Sequence, residues 1–350
     1  MLKCVLVRSS RQKDFLDFPK YLYKGELCTQ NRKLEEEILT GTHILSSYFK
    51  VIPFIVLSNN IVVARCILTY YDNSTTGFVG FFESVNNREV AKCLLERVSL
   101  EAKSKGLKDL VGPINCAIWL GYRFKVDNFD SYYTCEPYNK FYYKDLWLNA
   151  GFSVCDEYYS NHLRIPTVDD KDEKIIRVSE KLFSRRDYEW VKMSNRNFDV
   201  LLKDIYNLLI DLYKDLPYFT FISEDVFCSL FGNLKSVLNY NMVHLVYENG
   251  NLVGYLIAIP NYSEWQYSKS PLKAVKLLSI KNKPKEYVTM YIGAKHLGLG
   301  GVLAEKARQY YEDNNCSSIN ALIHKGNQSG KLYNSLYVKD YNYVLLKKRL

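Results

Sequence analysis

The sequence predicts an α+β fold, in which a mixed, mainly antiparallel sheet is flanked by helices, repeated as two tandem domains. The chain has 350 residues, about twice the length of a typical domain. Both halves show the same order of predicted elements: strand, helices, antiparallel strands, helix, strand, helix, strand. We therefore expect domains over residues 1–165 and 181–350, with a junction at 166–180, where Pro166 precedes a charged run.

In the first half, turn and cap residues delimit the elements. Asn59-Asn60 favours a tight turn between the predicted strands Phe54–Leu57 and Ile61–Tyr70. Asn86-Asn87 can cap a helix of regular apolar spacing, and Gly106 can end that helix. These signals predict a hairpin followed by a strand and a long helix.

In the second half, Asn249-Gly250 gives the strongest hairpin signal, between the predicted strands Met242–Tyr247 and Leu252–Ile259. A strand over Tyr287–Ile292 then leads to a glycine-rich turn and a helix. The last predicted strand is Asn342–Leu346, which we assign to the second domain.

Composition limits the class of protein. The net charge is +9, and 47% of the residues are hydrophobic, which is ordinary for a globular protein. The nine Cys form no CxxC pair and the five His show no metal-ligand spacing, so we expect reduced thiols, a cytoplasmic location and no metal. The first residues lack a signal-peptide pattern and no membrane span is predicted. The charge excess is too diffuse for a dedicated nucleic-acid binder and suits an anionic ligand.

The glycine-rich turn is the most specific motif. It comprises Lys295, His296, Leu297, Gly298, Leu299, Gly300 and Gly301. A turn of this kind directs backbone N–H groups toward one point at the positive end of the helix dipole, where a pyrophosphate can bind. The position of the turn late in the sequence argues against a dinucleotide fingerprint, which would open a βαβ unit and would need a third glycine at its own spacing and a later acidic residue. It therefore indicates a coenzyme A site, or else a glycine-rich helix start in a domain that binds no CoA.

Residues 242–346 resemble the GNAT acyltransferase family. In that family a loop of Arg or Gln, two residues, Gly, one residue, then Gly or Ala binds the pyrophosphate of acetyl-CoA after the fourth strand. Lys295, Gly298 and Gly300 fill these positions, with Lys as the departure. The resemblance implies that acetyl-CoA or another acyl-CoA is the co-substrate.

The family's second cofactor motif is matched less completely. Asn327 and Tyr333 fall at its positions, whereas Asp340–Tyr343 stands where the family has Gly-Phe. The resemblance implies that Tyr333 is the general acid for the leaving thiolate, and a phenol suits a thiol leaving group. Packing of Tyr333 on the core is the alternative. Asn327 contacts the cofactor or caps the following helix.

The first half resembles the N-terminal region of a largely uncharacterised bacterial family of GNAT-like proteins. The residues that carry this resemblance are Phe15, Phe18-Pro19, Leu22-Tyr23, Gly80–Glu83, Gly112–Asn115, Gly121, Phe129-Asp130, Pro137–Asn139, Tyr142-Tyr143 and Gly151-Phe152. This half has Ser84–Arg88 where a glycine loop would stand. We therefore expect its cofactor site to be lost or altered.

Acyl transfer to an amine needs a docked thioester and a neutral nucleophile. We expect the backbone of Met290, Tyr291 and Ile292 to pair with pantetheine. His324 and Glu264 are the candidates for the general base, with an ordinary surface role as the alternative for each.

The leading hypothesis is an acyl-CoA-dependent N-acyltransferase with one cofactor site, in which the second domain binds CoA and the first shapes the acceptor site. The acceptor would be a small-molecule or peptide amine, and oligomerisation stays open. A Fem-type transferase that uses aminoacyl-tRNA is a second hypothesis. A non-catalytic acyl-CoA-binding or scaffold protein is the third. The segment 260–286, with six Lys, is a lid or acceptor wall, or a solvated basic helix.

Overall fold

The computed structural model describes residues 1–326 and 334–350. The chain divides into two compact units. Unit 1 comprises residues 1–131, 137–157 and 342–350, and unit 2 comprises residues 132–136 and 158–341. Each unit has a mixed sheet flanked by helices, so the predicted fold class is confirmed. Within the described residues, no helix has the length and apolar character needed to cross a membrane.

Unit 1 follows the predicted order of elements. They are β1 (Leu2–Leu6), α1 (Gln12–Leu22), α2 (Arg32–Thr40), β2 (Lys50–Ser58), β3 (Ile61–Tyr70), β4 (Thr76–Ser84), α3 (Arg88–Ser104), β5 (Asp109–Gly112), β6 (Phe124–Lys125) and α4 (Tyr143–Asn149). The strand β7 (Ser153–Leu163) begins in unit 1 and continues in unit 2. Strands β1 to β4 pair antiparallel in sequence order, and β4 pairs parallel with β5.

The predicted turns and caps of unit 1 are confirmed. Asn59 and Asn60 both have positive φ, 50° and 66°, as a tight β2–β3 hairpin turn requires. The side chain of Asn87 accepts a hydrogen bond from the Val90 N–H at 3.1 Å and caps α3. Gly106, at φ 78°, follows the end of the same helix.

Unit 2 contains the second series of elements. They are α5 (Glu173–Arg185), β8 (Tyr188–Lys192), α6 (Phe198–Tyr213), α7 (Glu224–Phe231), α8 (Leu234–Val237), β9 (Val243–Glu248), β10 (Asn251–Pro260), α9 (Lys273–Asn282), β11 (Glu286–Ala294), α10 (Leu299–Asp313), β12 (Ser317–His324) and β13 (Tyr337–Arg349). The sheet of this unit has the order β7-β12-β11-β10-β9-β8. Asn249 and Gly250 form the predicted β9–β10 turn, with φ values of 50° and 75°.

Two segments belong to a different unit than their place in the chain predicts. Residues 342–350 lie in unit 1, where β13 pairs with β5 and β6, although the sequence analysis assigned Asn342–Leu346 to the second domain. Residues 132–136 lie in unit 2. The expected junction at 166–180 contains the first part of α5, which Asp172 caps through its side chain.

In unit 1, a neighbouring segment of the chain fills the gap that opens beside β4 where its pairing with β5 ends. Strands β4 and β5 pair only from Thr76 to Phe78, and the segment Pro113–Ala117 follows β4 beyond that point. The Ile114 N–H donates to the Val79 carbonyl at 2.9 Å, and the Phe81 N–H donates to Asn115 Oδ1 at 2.7 Å. A Cβ on Gly80 would lie 2.2 Å from the Ile114 carbonyl oxygen, so this position requires glycine.

Charged side chains are buried near the same strands. Arg65 and Glu35, exposed by 1% and 3%, form a bidentate pair at 2.6 and 2.8 Å. Glu83 accepts hydrogen bonds from the hydroxyls of Tyr23 and Tyr143. Burial raises the pKa of Glu83 from 4.5 to about 7, against the opposing effects of Arg65 and the two phenols.

The raised pKa of the Glu83 carboxyl leads us to expect that the stability of the protein depends on pH. Between pH 4.5 and about 7 the native carboxyl keeps its proton while the unfolded carboxyl loses it, so the contribution of Glu83 to stability falls as pH rises through this window. We expect the free energy of unfolding of Glu83→Gln, measured in urea, to fall less over this range than that of the unchanged protein. Parallel curves for the two proteins would show that Glu83 does not titrate there.

Candidate functional site

The site in unit 2 begins where two parallel strands separate. Strands β11 and β12 pair from Glu286 to Thr289 on one side and from Ser317 to Asn320 on the other. Beyond this point β11 continues to Ala294 and β12 to His324 without pairing to each other. Backbone groups along the separated edges are therefore available to a ligand that lies between the strands.

Both strands are irregular at the point of separation. The register of β11 against β10 shifts at Met290, because Tyr291 pairs with Ile257 and Thr289 pairs with Ala258. Met290 is thus the extra residue of a β-bulge, a feature that redirects backbone groups next to functional sites. On β12, Leu322 has a positive φ of 59° and its N–H donates to Ser160 Oγ at 2.8 Å.

A cavity of about 70 Å³ lies between the separated strands and α10. Its walls are mainly apolar, with a few polar groups. The residues that line it are Leu163, Pro166, Leu256, Thr289, Met290, Tyr291, Ile292, Ala304, Ala307, Arg308, Tyr311, Ser318, Asn320, Ala321, Ile323 and Leu336. The small residues of α10, Ala304 and Ala307, leave room beside the strands.

Arg308 fixes α10 beside the cavity. Its Nε donates to Glu305 at 2.9 Å, and its Nη1 donates to Glu312 at 2.8 Å and to the Thr167 carbonyl at 3.3 Å. The side chain is buried, so these charged partners are needed to hold the guanidinium there. The sequence analysis did not identify Arg308. Its spacing of three and four residues from the two acids was the available signal.

The glycine turn leaves one side of the α10 N-terminus open. Gly298 has φ 88°, a left-handed conformation that favours glycine, and a Cβ there would lie 3.0 Å from Val178 on α5. A Cβ on Gly300 would meet no atom within 4 Å. Helix geometry also leaves the N–H groups of Gly300 and Gly301 without acceptors inside the helix. A ligand can therefore approach these N–H groups on the side of Gly300.

Most cations beside the turn have acidic partners. Lys295 pairs with Asp211 at 3.0 Å, and both His296 and Arg186 contact Glu248, at 3.1 and 3.0 Å. Two exposed cations on α5, Arg177 and Lys181, line a groove that also includes Val178, which contacts Gly298. The turn thus has both helix N–H groups and nearby positive charge for an anion.

The strand backbone expected to bind pantetheine already has one partner. The hydroxyl of Tyr213, on α6, donates to the Ile292 carbonyl at 3.1 Å. Burial raises the pKa of Tyr213, so this phenol remains a donor at neutral pH. Met290, Tyr291 and Ile292 all line the cavity.

Of the three predicted catalytic residues, the two that the structure describes, His324 and Glu264, do not line the cavity. His324 ends β12, where its Nδ1 accepts from the Gly326 N–H at 3.1 Å and its ring meets the edge of Tyr158. Glu264 is exposed in the turn Ser263–Tyr267. Neither is among the described residues that line the cavity. Asn327 and Tyr333 lie outside the described residues.

In the described part of the chain, no group of three His, Cys, Asp or Glu side chains is placed to hold a metal ion. The nine cysteines are free thiols.

Comparison with solved structures gives the same fold over the full chain. A tandem GNAT protein from the clavulanic acid biosynthesis pathway is 12% identical, with a TM-score of 0.52, and the match covers 100% of this chain and 98% of that one. A GCN5-related N-acetyltransferase from Sphaerobacter thermophilus is 9% identical, with a TM-score of 0.50 and coverage of 99% and 95%. One from Anabaena variabilis is 6% identical, with a TM-score of 0.51 and coverage of 100% and 73%.

No protein-family model and no curated protein matches the sequence. The chain therefore has a tandem GNAT-like fold, as the resemblance of its two halves implied, at sequence identities that show the fold alone.

Proposed function

We propose that the protein is an N-acyltransferase whose unit 2 binds an acyl-CoA between β11 and β12. The separation of these strands directly before the glycine turn is the observation that carries the proposal. It places an open strand edge, an apolar cavity and a helix N-terminus in sequence along one path. A CoA thioester has the matching order of an acyl group, a pantetheine arm and a pyrophosphate.

Each part of the site has a role in this proposal. The N–H groups of Gly300 and Gly301 hold the pyrophosphate, and the β11 backbone from Met290 to Ile292 pairs with the pantetheine amides. The bulge at Met290 offers a backbone N–H to the thioester carbonyl, whose oxygen gains negative charge during the reaction. The apolar walls exclude water from the acyl group.

The reaction is the attack of a neutral amine nitrogen on the thioester carbonyl carbon. A C–N bond forms, the C–S bond breaks, the amine loses a proton, and the CoA thiolate takes up a proton. In the proposal Tyr333 supplies the proton to the thiolate and Asn327 contacts the cofactor, as the family resemblance implies. His324 and Glu264 remain the candidate bases, acting through water because neither lines the cavity.

The proposal gives unit 1 no second cofactor site. Its corresponding gap is filled by Pro113–Ala117, and the Phe81 N–H is bonded to Asn115. We assign unit 1 to recognition of the acceptor, a small-molecule or peptide amine. The free thiols fit a cytoplasmic protein, and the resemblance of the first half points to a bacterial source.

A non-catalytic acyl-CoA-binding protein is the second candidate. The absence of both candidate bases from the described residues of the cavity lining favours it, since such a protein needs the cofactor path but no base. A Fem-type transferase using aminoacyl-tRNA is a weaker alternative, because the glycine turn suits a pyrophosphate and the net charge of +9 is modest.

Calorimetric titration with acetyl-CoA and with longer acyl-CoAs tests the binding step. We expect saturable binding at one site per chain, tightest for short acyl groups, and at a concentration one hundred times Kd the ligand should stabilise the protein by about 2.7 kcal/mol. Citrate, a polyanion without a pyrophosphate, serves as the control for a nonspecific anion effect. An absence of binding by every CoA would contradict both the transferase and the acyl-CoA-binding hypotheses.

Release of free CoA thiol across a panel of amines then separates these two hypotheses. Amine-dependent release supports the transferase. Binding with no release above hydrolysis for any amine in the panel supports the non-catalytic protein.

A further inference from the structure

The connection between β10 and β11 carries a strongly one-sided charge. Between Glu264 and Glu286 the sequence has no acidic residue and six lysines: Lys269, Lys273, Lys276, Lys281, Lys283 and Lys285. The connection includes the turn Ser263–Tyr267 and α9, which pack against each other. A hairpin between neighbouring antiparallel strands needs only a few residues, so this segment is an addition to the sheet.

Helix α9 and the residue before it carry large apolar side chains that the described part of the chain leaves mostly exposed. Leu272, which directly precedes the helix, is 65% exposed, Val275 is 68% exposed and Leu278 is 59% exposed. Their spacing of three residues places them on one side of the helix. Single exposed apolar residues are ordinary, but a row of three large ones on one helix face marks an interaction surface.

The lysines around this row keep their charge uncompensated. Lys273 and Lys281 donate to the carbonyls of Gln266 and Ser236, each at 2.6 Å, and Lys276 lies over the ring of Trp265 at 5.6 Å. These partners are neutral. Within the described residues, none of the six lysines forms an ion pair. The segment from Trp265 to Lys285 therefore combines an exposed apolar row with side-chain charges that are all positive.

We infer that α9 binds the surface of an anionic phospholipid bilayer. The helix lies in the plane of the interface, with Leu272, Val275 and Leu278 inserted at the acyl boundary and the lysines at the phosphate groups. Charge complementarity between the six lysines and lipid phosphates, together with the high exposure of the apolar row, favours a bilayer over a folded acidic protein. Trp265, beside α9, has the amphipathic character of residues found at membrane interfaces.

Sedimentation of the full-length protein with vesicles tests this inference. The probes are vesicles of pure phosphatidylcholine and vesicles of equal parts phosphatidylcholine and phosphatidylglycerol. We expect binding to the mixed vesicles only, weakened by salt because the lysine contribution is screened. The double variant Val275→Asp/Leu278→Asp should reduce partitioning by about tenfold or more, since it removes the inserted row and adds repulsion. The variant Lys269→Gln/Lys276→Gln/Lys283→Gln should also reduce it.

Val200→Asp is the matched control, because Val200 is an apolar residue of the same unit, 65% exposed, on α6. It should bind vesicles as the unchanged protein does. The inference is overturned if the unchanged protein does not sediment with the mixed vesicles. It is also overturned if the lysine variant loses binding but the Val275→Asp/Leu278→Asp variant keeps it, because that result indicates a purely electrostatic partner such as nucleic acid. Self-association is measured by analytical ultracentrifugation. If the unchanged protein self-associates without binding lipid, and the Val275→Asp/Leu278→Asp variant does not self-associate, the face binds a second copy of the chain and the inference is overturned.

Discussion

Gly300→Glu is expected to weaken acetyl-CoA binding by about a hundredfold or more, because it places a carboxylate against the pyrophosphate in a region of reduced screening. The fold should tolerate this change. A Cβ at position 300 meets no atom within 4 Å, and an acidic residue in the first turn of α10 interacts favourably with the helix dipole. Calorimetric titration gives the affinity, and urea unfolding without ligand gives the stability.

Gly300→Ala is the matched control and should keep most of the affinity, since it adds a methyl group without charge. Position 298 is a poor choice for this experiment. Its φ of 88° and the 3.0 Å approach to Val178 mean that any side chain there strains the turn itself. Equal affinities for Gly300→Glu and Gly300→Ala would show that the pyrophosphate does not bind at this turn.

Glu35→Gln is expected to destabilise the protein by about 3–5 kcal/mol, because it removes the charged, doubly hydrogen-bonded partner of the buried Arg65 guanidinium and leaves only the Glu83 carboxyl, whose pKa is raised to about 7, as a nearby acidic group. Both side chains are almost fully enclosed and make two direct hydrogen bonds. Urea unfolding followed by circular dichroism measures the loss.

Asp14→Asn provides the comparison for that loss. Asp14 pairs with Arg11 at 3.2 Å, but both side chains are exposed, by 45% and 40%. Removing this exposed pair should change stability by less than about 1 kcal/mol. If the two variants lose the same stability, the burial of Arg65 is not what makes its partner essential.

The sequence predicted those parts of the fold that depend on neighbouring residues. Asn59-Asn60 and Asn249-Gly250 form the turns that their conformational preferences favour, and Asn87 caps α3 as its position suggested. Each of these signals acts within a few residues, so it can be read without knowing the fold.

Features that depend on distant residues were not predictable in the same way. The Met290 bulge exists only relative to the register of β10, and the filled gap in unit 1 depends on how closely Ile114 approaches Gly80. The burial of Arg308 depends on the packing of α10 against Thr167. Periodicity reports which face of an element is apolar, but it does not report which element covers that face.

The strand β13 has a consequence for synthesis and for dissection of the protein. Unit 1 needs residues 342–350 beside β5, so its sheet cannot be completed until these residues, which follow unit 2 in the chain, have been translated. An emerging chain therefore exposes the edge of β5 while all of unit 2 is being made, and unpaired strand edges promote aggregation. The same connectivity means that no single cut yields two complete halves. A fragment ending near residue 165 lacks a strand of its own sheet, whereas a circular permutant that begins with residues 342–350 joined ahead of Met1 would keep it.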